Sequence, residues 1–232
     1  MVSIAAIIQH NTSGFATLRE NNMVESPADL ADLTYGGWGL PLENAILSQL
    51  LSCNDAVWNE AQHQEIGYAD PLELLQLGRI DFTWIFYGWQ GIAADLDGAD
   101  LDVLMLMDYQ DCVPDYYTPI LLTSGEMIAE ESDVVEAFIH ATSRGYRVAI
   151  DDPAQAAEIL LDAVPELDSD LVRASTEWLS EQYQSDAARW GEQSEEVWQG
   201  FTDFLVEHEI ITEAFNVTDV FTNDFLPLAQ GE

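Results

Sequence analysis

The chain has 232 residues, and its 43 acidic residues outnumber its six basic ones so strongly that the formal net charge is −37. Hydrophobic residues make up 48 % of the chain, which is typical of a folded globular protein rather than a disordered one. Six scattered arginines cannot form the cationic surface that nucleic acid or an anionic membrane requires, so neither is expected as a partner. There is no lysine, which excludes a Schiff base to a cofactor such as pyridoxal phosphate.

Short β-rich runs alternate with helical patterns through the first half of the chain, which is typical of an α/β fold. The predicted strands are residues 2–8, 14–19, 34–38, 65–68, 82–86, 103–107 and 119–123. The helices predicted between them are residues 27–33, 41–52 and 71–77. Pro41 favours a helix start because the first turn does not need its missing N–H.

The second half of the chain is predicted to be helical over residues 131–150, 153–163, 168–183 and 194–207. In the first of these helices, a stripe with helical spacing predicts the buried face. The stripe consists of Val134, Phe138, Ala141 and Val148. Four aromatic residues on the later helices are predicted to belong to the core rather than to contact a ligand. They are Trp178, Trp198, Phe201 and Phe204.

Two further features bear on compartment and completeness. Cys53 and Cys112 are too few for a disulfide framework or a zinc site, and their 59-residue separation gives no reason to expect a bridge. The N-terminus has no basic region and only a short apolar stretch, so it is not a secretory signal. It is predicted to form a core strand at once, without a cap, and we therefore expect that residues upstream of it are missing.

Aromatic and glycine-rich clusters at predicted strand ends are the strongest functional signal, because ligands of open α/β sheets bind beyond strand ends. The first cluster provides Gly36, Gly37, Trp38 and Glu43; the second, Trp84, Tyr87 and Trp89; and the third, Asp115, Tyr116 and Tyr117. Trp38 is predicted to stack on a planar ring, and Glu43 to accept hydrogen bonds from ring amino groups. The alternative is a tight turn in the first cluster and plain core packing in the others.

Polar and catalytic candidates are fewer. His10 and Ser13 lie in a polar bend between two predicted strands, where a cleft group could sit. The four histidines show no metal-ligand spacing, and no nucleophile elbow or phosphate-binding glycine loop is present. We therefore expect neither a metal nor a cofactor, and we expect the chain not to be an enzyme.

Seven collinear segments, distributed along the chain from residue 4 to residue 227, carry a resemblance to a known family. They are IAAIIQHNTSGF at 4–15, YGGWGLPLE at 35–43, GRIDFTWIFYGWQGIAADL at 78–96, PDYYTPILLTS at 114–124, residues 138–175, WLSEQYQSDAARWGEQ at 178–193 and FTNDFLP at 221–227. In these segments the sequence resembles the solute-binding proteins of ABC importers for thiamine-precursor pyrimidines, the hydroxymethylpyrimidine and thiamine-pyrimidine group.

The resemblance implies a periplasmic-binding-protein fold of type II, with two lobes joined by crossing strands and a ligand cleft between them. Residues 1–26 and 119–232 are then expected to form lobe 1, with its N-terminal part missing, and residues 27–118 to form lobe 2. The implied ligand is a pyrimidine such as hydroxymethylpyrimidine, held by the three clusters, His10 and Ser13. The implied partner is the importer's permease, and the full-length protein is expected to be an extracytoplasmic monomer, periplasmic or lipid-anchored.

Two departures from the family pattern define the alternatives: the expected loss of part of lobe 1, and the sequence at and after Cys112. Because part of lobe 1 is expected to be missing, weak or absent ligand binding is predicted for these 232 residues alone. Eukaryotic pyrimidine synthases share the fold but use pyridoxal phosphate and a cysteine-rich iron motif, whereas the corresponding position here holds one cysteine, Cys112, followed by Asp115, Tyr116 and Tyr117. The remaining alternatives are a binding protein for another small aromatic or sulfonated solute, and a sensor lobe coupled to a receptor.

Overall fold

A computed structural model of the chain describes residues 1–228. The chain divides into two units, each with its own internal packing. Unit 1 consists of Met1–Asn11, Asp115–Asp203 and Glu213–Glu232, and unit 2 of Thr12–Pro114 and Phe204–Thr212. The lobe boundaries expected from the sequence, after residues 26 and 118, stay a prediction.

The strands and helices follow the alternating pattern of an α/β chain. The strands are β1 (Val2–Ala6), β2 (Ser13–Leu18), β3 (Tyr35–Gly37), β4 (His63–Glu65), β5 (Phe82–Phe86), β6 (Leu101–Met105) and β7 (Ile120–Thr123). The helices are α1 (Pro41–Ser52), α2 (Pro71–Gln76), α3 (Ile92–Leu96), α4 (Gly125–Glu130), α5 (Ser132–Asp151), α6 (Pro153–Ala163), α7 (Ser169–Ser180) and α8 (Glu195–Glu207). The strand predicted over residues 65–68 was misplaced, since β4 ends at Glu65 and a turn follows it.

Unit 2 contains a five-stranded mixed sheet in the order β4-β3-β5-β2-β6. β3 runs parallel to β4 and β5, while β2 runs antiparallel to β5 and β6. Interlocked aromatic rings form the core on one face of this sheet, with Tyr35 5.1 Å from Phe82 and Phe15 5.9 Å from both. Such edge-to-face and tilted ring pairs stabilise a core beyond the area that they bury.

Unit 1 packs its helices around the antiparallel pair formed by β1 and β7. Its core joins Ile4 and Ala5 of β1 to Ile139 of α5 and to the Trp190 ring. The ring of Tyr146 stacks on Trp190 at a centroid distance of 4.5 Å and covers one side of this core. No helix among residues 1–228 is long and apolar enough to cross a membrane.

The buried face of α5 differs from the predicted stripe. Ile139 is 0 % exposed and Val135 is also buried, whereas Phe138 is 54 % exposed and Val134 is comparably exposed. Neighbouring residues on a helix point about 100° apart, so a stripe placed one residue early selects the wrong face. The spacing of apolar residues predicted an amphipathic helix, but packing against β1 and Trp190 determines which face of the helix is buried.

The two cysteines form a disulfide, which the sequence gave no reason to expect. Cys53 follows the last turn of α1, and Cys112 follows β6 in the segment that leads out of unit 2. Their Cα atoms lie 5.8 Å apart although 59 positions separate them in sequence. The prediction of two unpaired cysteines was therefore wrong, because only the tertiary path of unit 2 brings the end of α1 beside this segment.

Candidate functional site

One edge of the unit 2 sheet gathers most of the predicted site residues. β3 and β5 are parallel, so Gly37 and Phe86 end their strands at the same edge. β2 starts there as well, because Ser13 pairs with Phe86 in the antiparallel ladder. The topology thus brings Gly36, Gly37 and Trp38 to the edge that also holds Ser13 and the segment Tyr87–Gly91.

Exposed aromatic rings distinguish this edge from the core behind it. Trp38 is 42 % exposed, and Trp89 and Phe86 are exposed to about the same degree. Trp84 is buried instead, with its ring 5.7 Å from Phe15, so it supports the edge from within the core. Phe86 was not among the predicted site residues, although its position at the end of a strand marked it in the same way as Trp38.

The turn between β3 and α1 holds Trp38 in place. Gly39 adopts a φ of +78°, which is strained for any residue with a side chain. A Cβ atom at Gly37 would overlap the ring of Tyr35 and the carboxylate of Glu43. Both glycines are therefore required by the geometry of the turn, and the tight-turn interpretation of this cluster describes its backbone.

The Glu43 carboxylate lies inside this turn rather than at the exposed edge. The residue is 0 % exposed, and its oxygens accept hydrogen bonds from the Tyr35 hydroxyl at 2.7 Å, from the Trp38 N–H at 2.9 and 3.1 Å and from the Leu40 N–H at 2.7 Å. Burial and the neighbouring carboxylate raise the pKa of Tyr35, so its hydroxyl stays a donor. A carboxylate third in a helix that bonds the preceding N–H is a local capping signal, which could have indicated this role from sequence.

Tyr87 is tied to its own unit. Its hydroxyl donates to Asp95 Oδ2 at 2.8 Å, and its backbone N–H donates to the Thr12 carbonyl oxygen at 3.0 Å. Burial, with a smaller contribution from Asp95, raises the pKa of Tyr87. The half-buried Tyr87 ring therefore anchors the single π-helical turn that carries Trp89 at the exposed edge.

Unit 1 provides a separate aromatic surface from the third cluster. The Tyr116 ring stacks on Phe201 at a centroid distance of 4.2 Å and an angle of 17°. The Tyr117 hydroxyl accepts the Ser194 N–H at 2.8 Å, at the start of the segment that leads into α8. A cavity of about 190 Å³ opens beside these rings and is lined by Tyr116, Tyr117, Ile120, Val197, Trp198 and Phe201.

The structure changes the assignment of two residues of α8. Trp198 and Phe201 were predicted to be core, but both are half-buried and line the cavity of unit 1. Their three-residue spacing places them on one face of α8, which is the sequence signal that could have grouped them with the tyrosines. Phe204, one turn further along, is buried, in agreement with the prediction.

His10 lies between two carboxylates of unit 1. Its Nδ1 is 2.7 Å from Asp115 Oδ2, and its Nε2 is 3.0 Å from Asp186 Oδ1. The other oxygen of Asp115 accepts the backbone N–H groups of Asn11 and Tyr116, both at 2.9 Å. The hydrogen bond that the imidazole donates to Asp115, with help from Asp186 and against the effect of burial, raises the pKa of His10 to about 9. A charged imidazole therefore braces the segment that carries Tyr116.

These side chains suit stacking on a flat heteroaromatic ring. Exposed rings offer stacking surfaces, whereas Glu43, Asp115 and His10 satisfy groups of the chain itself. Among the residues that the structure describes, no group of three or more histidine, cysteine, aspartate or glutamate side chains is arranged to hold a metal ion.

Comparisons with known proteins give a consistent picture. The formylaminopyrimidine-binding protein of Halalkalibacterium halodurans is 24 % identical over 230 residues, which cover 96 % of this chain and 68 % of that protein. The periplasmic aliphatic sulphonate-binding protein SsuA of Escherichia coli superimposes with a TM-score of 0.67 at 13 % identity, over 94 % of this chain and 72 % of that one. The ligand-binding component of an ABC-type import system from Staphylococcus aureus superimposes with a TM-score of 0.57 at 18 % identity, over 97 % of this chain and 73 % of that one.

The likeness also includes an enzyme. The desulfurization enzyme DszB superimposes with a TM-score of 0.62 at 12 % identity, so the fold by itself does not select a function. The predicted α/β fold of periplasmic-binding-protein type II is confirmed by these superpositions. The model of the family described as NMT1/THI5 like matches residues 1–156, about two thirds of the chain. The chain therefore belongs to the NMT1/THI5-like family.

Proposed function

We propose that this protein is the solute-binding component of an ABC importer and that its solute is a small pyrimidine of the hydroxymethylpyrimidine type. The observation that carries the proposal is the set of exposed rings at the edge of the unit 2 sheet, led by Trp38, in a member of this family. A relative that is named for binding formylaminopyrimidine supports a substituted pyrimidine as the solute. The permease of the importer is the implied partner.

Recognition would rest on stacking. A pyrimidine ring has two flat faces that aromatic side chains can cover, and such contacts tolerate differences in ring substituents. Trp38 offers a partly exposed ring at the edge of the unit 2 sheet. Within unit 1, Tyr116 lines the cavity of about 190 Å³. The residues that line this cavity are uncharged, which favours an uncharged heteroaromatic solute over the sulfonated alternative.

The disulfide bears on the pyrimidine-synthase alternative and on the location of the protein. Cys112 is bonded to Cys53, so it does not offer the free thiolate that the iron motif of a pyrimidine synthase needs. Disulfides persist mainly in oxidising compartments, which supports an extracytoplasmic location for the protein. Both points favour a binding protein outside the cytoplasm over an enzyme of the same fold.

Replacing Trp38 or Tyr116 by alanine is expected to weaken binding of hydroxymethylpyrimidine about tenfold, since each change removes a stacking surface. Saturation-transfer NMR on the ligand measures this difference even where affinity is only millimolar. Phe138→Ala is the matched control, because Phe138 is a 54 % exposed ring on α5 that does not line the cavity.

Three outcomes of this NMR measurement of binding count against the proposal. Unchanged affinity in both alanine variants would show that the rings do not contact the solute. An alkanesulfonate that saturates the protein while pyrimidines do not would replace the pyrimidine with the sulfonated alternative. A wild-type chain that binds neither compound in a saturable way would remove the solute-binding role from these residues.

A further inference from the structure

We infer that Glu43 is a positioning residue that acts on the solute only through Trp38, and this inference rests on the proposed function. The sequence predicted that Glu43 would bond amino groups of the ligand. In the structure its four hydrogen bonds go to Tyr35, Trp38 and Leu40 of its own turn. Because these bonds occupy both oxygens of a fully buried carboxylate, the ring of Trp38 rather than Glu43 is left to meet the solute.

The contacts of Glu43 span the whole turn that carries Trp38. The Tyr35 hydroxyl lies before the glycines, the Trp38 N–H within the turn and the Leu40 N–H at the start of α1. Hydrogen bonds to a carboxylate are shorter and stronger than those between neutral groups. The Trp38 N–H lies within hydrogen-bonding distance of both oxygens, which fixes the backbone from which the indole projects.

The glycines make the arrangement specific to this turn. A Cβ at Gly37 would displace the carboxylate, and the positive φ of Gly39 lets the chain bend back so that Leu40 meets the same group. Trp38 itself is 42 % exposed, so its ring is less enclosed by packing than the ring of a buried residue such as Trp84. The hydrogen bonds of the carboxylate therefore hold the backbone that carries the Trp38 ring, whereas packing in the core holds a buried ring such as Trp84.

Glu43→Gln tests the inference, because it keeps the side-chain shape while replacing one acceptor oxygen by an NH₂ group. That group would face backbone N–H donors of the turn and cannot accept from them. We expect the variant to bind hydroxymethylpyrimidine about tenfold more weakly than the wild type. Glu73→Gln removes an exposed carboxylate of the same unit and is the matched control.

A double-mutant cycle separates positioning from direct contact. If Glu43 acts through Trp38, Glu43→Gln causes no further loss of affinity in a protein that already carries Trp38→Ala. An equal loss in both backgrounds would overturn the inference, because it would show that Glu43 contributes to binding without Trp38.

Hydrogen exchange tests the same inference without a ligand, so its failure can be told apart from failure of the proposed function. In the wild type the Trp38 and Leu40 amides are expected to exchange slowly, although both residues are exposed at the sheet edge. Glu43→Gln should speed their exchange by about tenfold or more while the amides of β5 stay protected.

Glu43→Asp gives a second variant in case the first does not fold. It keeps the charge and withdraws the carboxylate from the turn by one methylene, so the same two amides should lose protection. Rapid exchange of both amides already in the wild type would overturn the positioning role, whatever the solute proves to be.

Discussion

Replacing Cys53 and Cys112 together by serine is expected to lower the free energy of unfolding by about 2–4 kcal/mol. The bridge closes a loop with a sequence separation of 59 residues, for which the chain-entropy model gives roughly 4 kcal/mol. This loop contains β4, β5 and β6, three of the five strands of the unit 2 sheet. Without the bridge, the unfolded chain regains the freedom to separate these strands from α1.

Hydrogen exchange of the slowest amides in β2 and β5 measures the loss of unfolding free energy in unit 2, the unit that contains both cysteines. Ser52→Ala, at the neighbouring position, controls for a small change at the end of α1 that leaves the covalent link intact. Reduction of the wild-type protein should reproduce the effect of the double variant. Equal protection in the wild type, the reduced protein and the double-serine variant would show that the bridge adds no stability.

Raising the pH from about 6.5 to about 9 is expected to lower the free energy of unfolding through His10 by roughly 1 kcal/mol, because its partly exposed ion pairs are screened by solvent. The hydrogen bond that His10 donates to Asp115, supported by Asp186, raises the pKa of His10 from 6.5 to about 9 in the folded chain. A folded-state pKa above the unfolded one means that the contribution is complete below pH 6.5. It is then lost as the pH rises through the folded-state value and the imidazole gives up its proton.

The comparison of the wild type with His10→Gln isolates this effect, because all other titrating groups are common to both. The difference between their free energies of unfolding should be largest near pH 6 and shrink toward pH 9.5. His140→Gln, which removes a more exposed histidine of the same unit, controls for the loss of one imidazole. A difference that does not change with pH would contradict the bridging role of His10 between Asp115 and Asp186.

Local sequence signals predicted most elements, whereas the predicted site stays a prediction. Pro41 marked the start of α1, and the first two clusters marked the strand ends that the topology brings to one edge of the unit 2 sheet. The face of α5 was predicted wrongly because two adjacent apolar residues, Phe138 and Ile139, compete for it. Their spacing fits either choice, and packing against β1 and Trp190 decides between them.

Contacts between distant residues were the part that local patterns could not supply. His10 and Asp115 are 105 positions apart, and Cys53 and Cys112 are 59 apart, so no periodicity relates them. The hydrogen bonds of Glu43 are local instead, because all their donors lie within eight positions of it in sequence. Its place in the first turn of α1 is a sequence signal for a capping role.

The sequence by itself determined the class of fold and the resemblance to a family of binding proteins, and it gave the expectation that nucleic acid is not a partner. These depend on composition, on periodicity and on the order of segments along the chain, all of which can be read without coordinates. Only the tertiary structure decided which polar groups are occupied by the chain itself and which aromatic rings remain exposed. A hydrogen bond or a stacking contact needs its two groups within a few ångströms, and for groups far apart in sequence the path of the folded chain alone sets that distance.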